Sequence, residues 1–178
     1  MTTSQSLTDT PATDRLTIRH VPLGPGTPVG SDTPVGSGTP VGSDTPGPLS
    51  DPETGRIAAF LHRHLGQYGD ALSDIQACLR YAHERGGSVT LAEEDGHLLG
   101  AVVTNRTGMS GFIPENILVY VAVHESTRGR GVGRQLIEVA TGALQGSVAL
   151  HVEPHNPARK LYERLGFTNK YLEMRLQR

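Results

Sequence analysis

The densest chemistry in the chain lies in seven consecutive residues: Arg128, Gly129, Arg130, Gly131, Val132, Gly133 and Arg134. Glycines allow backbone N–H groups to approach a ligand closely. If a helix opens here, its first N–H groups lack intrahelical partners and carry the positive end of the helix dipole. Three guanidinium groups add charge-assisted donors. Such a turn suits a phosphate or pyrophosphate. Two familiar phosphate sites are excluded. The pattern G-x4-G-K-[ST] is absent. The dinucleotide pattern G-x-G-x-x-G would need glycine at 134, where Arg134 stands, and Glu153 is a weak match for its acidic partner. The plain alternative is a glycine-rich connection with exposed arginines.

Positioning such a turn requires a strand before it and a helix after it. Ile117–Val123 is an apolar run of seven with several β-branched residues, which predicts a central strand buried on both faces. After the turn, Val132, Leu136, Ile137, Ala140, Ala143 and Leu144 recur on one helical stripe. Ser147–Val152 predicts the next strand. Asn156-Pro157 opens a helix with Ala158, Leu161, Tyr162 and Leu165 on one face, ended by Gly166. Tyr171–Gln177 alternates and predicts a final strand.

Upstream, Leu16–Val21 alternates as a first strand. Asp51-Pro52 predicts a helix start, with Asp51 as cap, and Ile57, Phe60, Leu61 and Leu65 follow at helical spacing. A second helix is expected from Ala71 to Arg85 before Gly86-Gly87. Ser88–Glu93 and His97–Thr104 flank a Glu94-Asp95-Gly96 turn, a hairpin pattern. The expected order is β-α-α-β-β-β-α-β-α-β. That is a mixed α/β sheet flanked by helices, antiparallel early and parallel around 117–152.

The 178 residues suggest one domain, but the 22 glycines and 12 prolines are unevenly placed. Residues 26–48 repeat a six-residue unit: GTPVGS, DTPVGS, GTPVGS, then DTPGP. Residues 1–50 hold none of the eight aromatics. Such a stretch cannot bury enough apolar area to offset its ordering entropy. The expectation is a disordered 1–13 and a single domain over 14–178, with 23–50 a disordered insertion after the first strand. One cysteine, Cys78, excludes a disulfide framework. A formal charge of −2 offers no basic field for nucleic acid. No stretch approaches a membrane span or a secretory signal, so no membrane partner and a cytoplasmic location are expected. The eight histidines form no metal-ligand spacing, and no metal is expected.

Two separated segments carry a family resemblance. Arg128-x-x-Gly131-x-Gly133 fits a [Q/R]-x-x-G-x-[G/A] loop. Ala158, Leu161, Tyr162, Glu163, Gly166 and Phe167 keep the spacing A-x-x-L-Y-E-x-x-G-F. Together, with Leu16-Thr-Ile-Arg19 as a first strand, they resemble the GNAT superfamily of acyl-CoA-dependent N-acyltransferases. The resemblance implies a partly splayed sheet, with the cofactor arm of acetyl-CoA lying between the fourth and fifth strands against backbone at Val121, Ala122 and Val123. It assigns the pyrophosphate to Arg128, Gly129, Arg130, Gly131, Val132, Gly133 and Arg134. It implies that a deprotonated amine attacks the thioester directly and that Tyr162 protonates the leaving thiolate.

Tyr162 also lies on the apolar stripe, so core packing is the competing account. Asn156 stands six residues before Tyr162 rather than the family's seven, and is also explained as a cap. Glu115, at the start of the fourth strand, is the candidate base, with a loop-end carboxylate as its competing account. Glu125 and Glu153 are its runners-up. The family's acceptor pocket maps to 66–72 and 105–116, which include Tyr68, Asp70, Arg106, Met109, Phe112 and Glu115. The implied function is transfer of an acetyl group from acetyl-CoA to a small-molecule amine, by a monomer or homodimer. The alternatives are a non-catalytic acyl-CoA-binding module that regulates a partner, or acetylation of a protein amine.

Overall fold

A computed structural model of the chain describes residues 16–25 and 49–176. The expectations for 1–13 and for the repeat at 26–48 fall outside these residues. Five strands form one sheet in the order β1 (Thr17–Leu23), β2 (Gly87–Glu94), β3 (His97–Arg106), β4 (Asn116–Val123) and β5 (Val148–Leu150). The first four pair antiparallel and β5 joins β4 in parallel. The helix α3 (Val132–Gly142) makes that crossover. The mixed sheet flanked by helices is the architecture expected from the sequence.

The two faces of the sheet build separate apolar clusters. Helices α1 (Asp51–Leu65) and α2 (Leu72–Arg85) bring Ile57, Leu61, Ile75 and Leu79 onto Val21, Val89, Leu91, Ala101 and Val103. Helix α3 brings Val132, Leu136, Ile137 and Ala140 onto Ala92, Val102 and Leu118 on the other face. Full burial of such a side chain contributes about 1.5–3 kcal/mol each. The approach of α3 depends on Gly100. A Cβ there would stand 2.5 Å from Leu136 Cδ1, and Leu136 is itself wholly buried.

Local chemistry moves several boundaries. Ser50, not Asp51, caps α1 and accepts from the Glu53 N–H at 3.4 Å, which leaves Asp51 inside the first turn. Asp51 there complements the helix dipole. The β2–β3 hairpin turns on Asp95 and Gly96, both at positive φ, as a two-residue turn requires. Leu23 and Leu49, inside the expected insertion, are 5% and 7% exposed and belong to the core. The excursion between them therefore starts and ends in the same cluster.

The C-terminal third departs most. β5 spans Val148–Leu150 rather than Ser147–Val152. Helix α4 is Arg159–Arg164, preceded by a turn in which Asn156 Oδ1 accepts the Ala158 N–H at 2.9 Å. The expected last strand does not form within residues 171–176. Leu172, Met174 and Leu176 are 87%, 93% and 81% exposed, and the segment has no ladder partner among the described residues. Alternation supplies a strand pattern, but a strand needs a neighbour to take its backbone hydrogen bonds. No helix among the described residues is long and apolar enough to cross a membrane.

Candidate active site

Strand β4 changes character in its middle. Thr104 pairs with Leu118 and Val103 with Tyr120, so Val119 is an extra residue in β4. This bulge reverses the alternation. Leu118 packs on the α3 face, whereas Tyr120 and Ala122 pack on the α1/α2 face. The same point ends the parallel seam. Asn116, Ile117 and Leu118 pair with Val148, Ala149 and Leu150, and the ladder goes no further. Within the sheet, residues 120–123 thus pair with β3 alone. Residues of an antiparallel strand point their N–H and C=O alternately to one side and the other. Part of the Val121–Val123 backbone therefore faces away from β3, into a slot that β5 no longer closes.

The glycine-rich turn sits at the open end of that slot. A short 3-10 turn, Glu125–Thr127, leads out of β4. The buried Thr127 hydroxyl anchors it by donating to the His124 carbonyl at 2.6 Å. Gly129 and Gly131 have φ of 77° and 76°, a region that favours glycine. Gly131 caps α3 without a side-chain hydrogen bond, and the first helical bond runs from the Gln135 N–H to Gly131 O at 3.1 Å. The amides of Val132, Gly133 and Arg134 precede it, at the end of the helix where an anion is stabilised. Two positive-φ glycines thus lead directly into a helix start that has no side-chain cap.

The three arginines differ. Arg130 binds both carboxylate oxygens of Glu94, with Nη1 to Oε2 at 3.1 Å. Arg134 Nε donates to Glu138 at 2.8 Å along α3. Arg128 is exposed at the turn. Beside them, a groove of about 410 Å³ is lined by Glu94, Asp95, His97, Leu98, Leu99 and His124. Sequence reasoning missed the Arg130–Glu94 pair, whose partners stand 36 residues apart.

Tyr162 lies on α4, in the apolar cluster of the α3 face. It packs edge-on against Phe167, with ring centroids 6.0 Å apart, in the cluster that includes Val121, Val123, Leu150 and Leu161. Burial pushes its phenol above the ordinary range, so it stays protonated. A Cβ on Gly133 would sit 3.7 Å from both Leu161 and Val123, so turn, strand and α4 converge there. Asn156 spends its Oδ1 on the turn before α4.

Glu115 is placed elsewhere. Its Oε2 accepts the Ser147 N–H at 2.7 Å and fastens the start of β4 to the start of β5. That backbone donor holds its carboxyl below the usual range, which weakens it as a base. Six strand residues, about 20 Å, separate it from Val121. The structure does not bring Glu115 together with Tyr162 and the turn.

Residues 85–169 match the family model described as an acetyltransferase (GNAT) domain. A curated relative, the 5-NmdU N-acetyltransferase of Pseudomonas phage PaMx11, is 31% identical over 84 residues, which is 46% of this chain and 58% of the relative. The chain thus spans little more than half of that relative's length. Among solved structures, the aminoglycoside N-acetyltransferase AAC(6')-Iy in complex with CoA aligns with a TM-score of 0.61 at 15% identity, over 95% of this chain and 98% of that one. The aminoglycoside acetyltransferase HMB0005, from an uncultured soil metagenomic sample, aligns with a TM-score of 0.55 at 16% identity, over 92% and 98%. A ribosomal-protein-alanine N-acetyltransferase from Brucella melitensis biovar Abortus 2308 aligns with a TM-score of 0.52 at 22% identity, over 72% and 95%. At these identities the solved structures speak to the fold. Residues 85–169 are thus similar to a GNAT acetyltransferase domain, and the fold is shared with solved acetyltransferases along most of the chain.

Proposed function

We propose that the chain transfers the acetyl group of acetyl-CoA to a primary amine of a small molecule by direct attack. The observation that carries this reading is the parting of β4 from β5 after Leu118, directly before the glycine-rich turn. The pantetheine arm lies in the slot against the Val121–Val123 backbone. The pyrophosphate rests on the amides of 129–134 and on Arg128. A backbone N–H of β4 polarises the thioester carbonyl as an oxyanion donor. The neutral amine attacks the thioester carbon, a C–N bond forms and the C–S bond breaks. The attacking nitrogen releases its extra proton to solvent. The Tyr162 phenol gives its proton to the departing thiolate and is reprotonated from water. Asn156 Nδ2 is available to the cofactor arm.

The small-molecule acceptor is in keeping with the likeness to two aminoglycoside acetyltransferases over almost their whole lengths. Calorimetry with acetyl-CoA, followed by a thiol-release assay over a panel of amines, tests the reading. Micromolar binding with turnover of at least one small amine is expected. Absence of acetyl-CoA binding would overturn it, and binding without turnover of any amine would leave a cofactor-binding module in its place.

A further inference from the structure

The bulge at Val119 does more than open the slot. It turns Tyr120 onto the α1/α2 face, where its side chain is 7% exposed and its hydroxyl donates to Asp70 Oδ2 at 2.7 Å. Phenylalanine would fill the same apolar volume without needing a partner for a buried hydroxyl. Burial, and then the Asp70 carboxylate, push the Tyr120 phenol well above the ordinary range, so it is a permanent donor. Asp70 itself is exposed, in the connection between the Gly66–Tyr68 turn and α2. It is therefore a solvent-facing carboxylate held by a donor rooted one residue from Val121.

The surroundings set the sign of what this carboxylate attracts. Asp74, in the first turn of α2, adds negative charge near Tyr120. Behind it, Cys78 is pushed up to about 11, mainly by burial, with Asp70 adding to the rise, so it stays a neutral thiol. From the C-terminal segment Arg175, paired with Glu173, lies close enough for Asp70 to stabilise its charge.

We infer that Asp70, oriented by Tyr120, anchors a second amino group of the acceptor, so that the substrate class is a diamine or polyamine. The inference rests on the acetyl-transfer reading. An ammonium held on a carboxylate keeps its proton, so its lone pair cannot attack. A neutral amine elsewhere in the same molecule must then be the nucleophile. Asp70 sets specificity, and Tyr120 positions it.

The test compares 1,4-diaminobutane and spermidine with n-butylamine. Binding to the CoA-loaded protein is read by calorimetry and turnover by thiol release. Asp70→Asn keeps an oxygen for the Tyr120 hydroxyl but removes the charge. The unmodified protein should favour diaminobutane over butylamine by about tenfold in kcat/KM, the scale of one charged hydrogen bond. Asp70→Asn should abolish that preference through KM, with acetyl-CoA affinity and Tm unchanged. Equal handling of mono- and diamines, no diamine binding to the unmodified protein, or diamine binding that survives Asp70→Asn would overturn the inference. Failure of acetyl-CoA to bind would sink the acetyl-transfer reading. Diamine binding is scored without turnover, so the two failures are separable.

Discussion

On the proposed reading Tyr162 combines two properties that an acid for thiolate needs: it stays protonated at neutral pH, and it packs in the cluster that holds Val121 and Val123. Tyr162→Phe should lower kcat by about 100-fold while leaving acetyl-CoA affinity unchanged, as read by thiol release and calorimetry. Because the phenol is raised, the unmodified enzyme should show no loss of kcat from this group below about pH 10. If Tyr162 only packs, the phenylalanine variant will turn over normally. The arginines should divide by what already holds them. Arg128→Ala removes a charged donor at the turn and should weaken acetyl-CoA binding by about 10–100-fold. Arg130→Ala should cost less, because Arg130 must first leave Glu94. The glycine-rich turn and the α4 segment around Tyr162 could be singled out in the sequence because each motif is contiguous. The pairing of Tyr120 with Asp70 could not, because that hydrogen bond spans 50 residues and depends on a bulge that an apolar run does not announce.

Among the elements, the sequence predicts best where periodicity and packing agree. α2, β3 and α3 form close to the stretches expected, each with an apolar stripe and a partner to bury it. It predicts least well after Gly146, where the elements are short and their partners sparse. The 171–176 run has the alternation of a strand but lacks a ladder among the described residues, and pattern alone cannot supply one. Glycine within β3 likewise gives no hint from composition that a helix rests on it. Gly100→Ala should force Leu136 or α3 to move, at a cost of about 1–3 kcal/mol. Thermal melts should show Tm lower by several degrees. Unchanged stability would mean that Leu136 repacks freely.

For the whole molecule, the two clusters on opposite faces explain why a long excursion between β1 and α1 is tolerated. Leu23 and Leu49 are buried in one of them, so both ends of the excursion are fixed by the fold rather than by the repeat. Removing residues 32–43, two repeat units, shortens the span from Gly24 to Pro48 by about half. Loop-closure entropy then changes by only about 0.6 kcal/mol. The shortened protein should melt within a few degrees of the full chain and bind acetyl-CoA equally well. A large loss of either would show that the repeat does more than join β1 to α1.

The parallel seam that stops at Leu118 also makes the protein its own occupancy gauge. Amides at Asn116–Leu118 belong to a closed ladder, whereas some at Val121–Val123 open toward solvent on the β5 side. Hydrogen–deuterium exchange should therefore slow at 121–123 when acetyl-CoA is added and stay level at 116–118. This readout needs no acceptor and no chemistry, and would report the ligand even before a substrate is in hand.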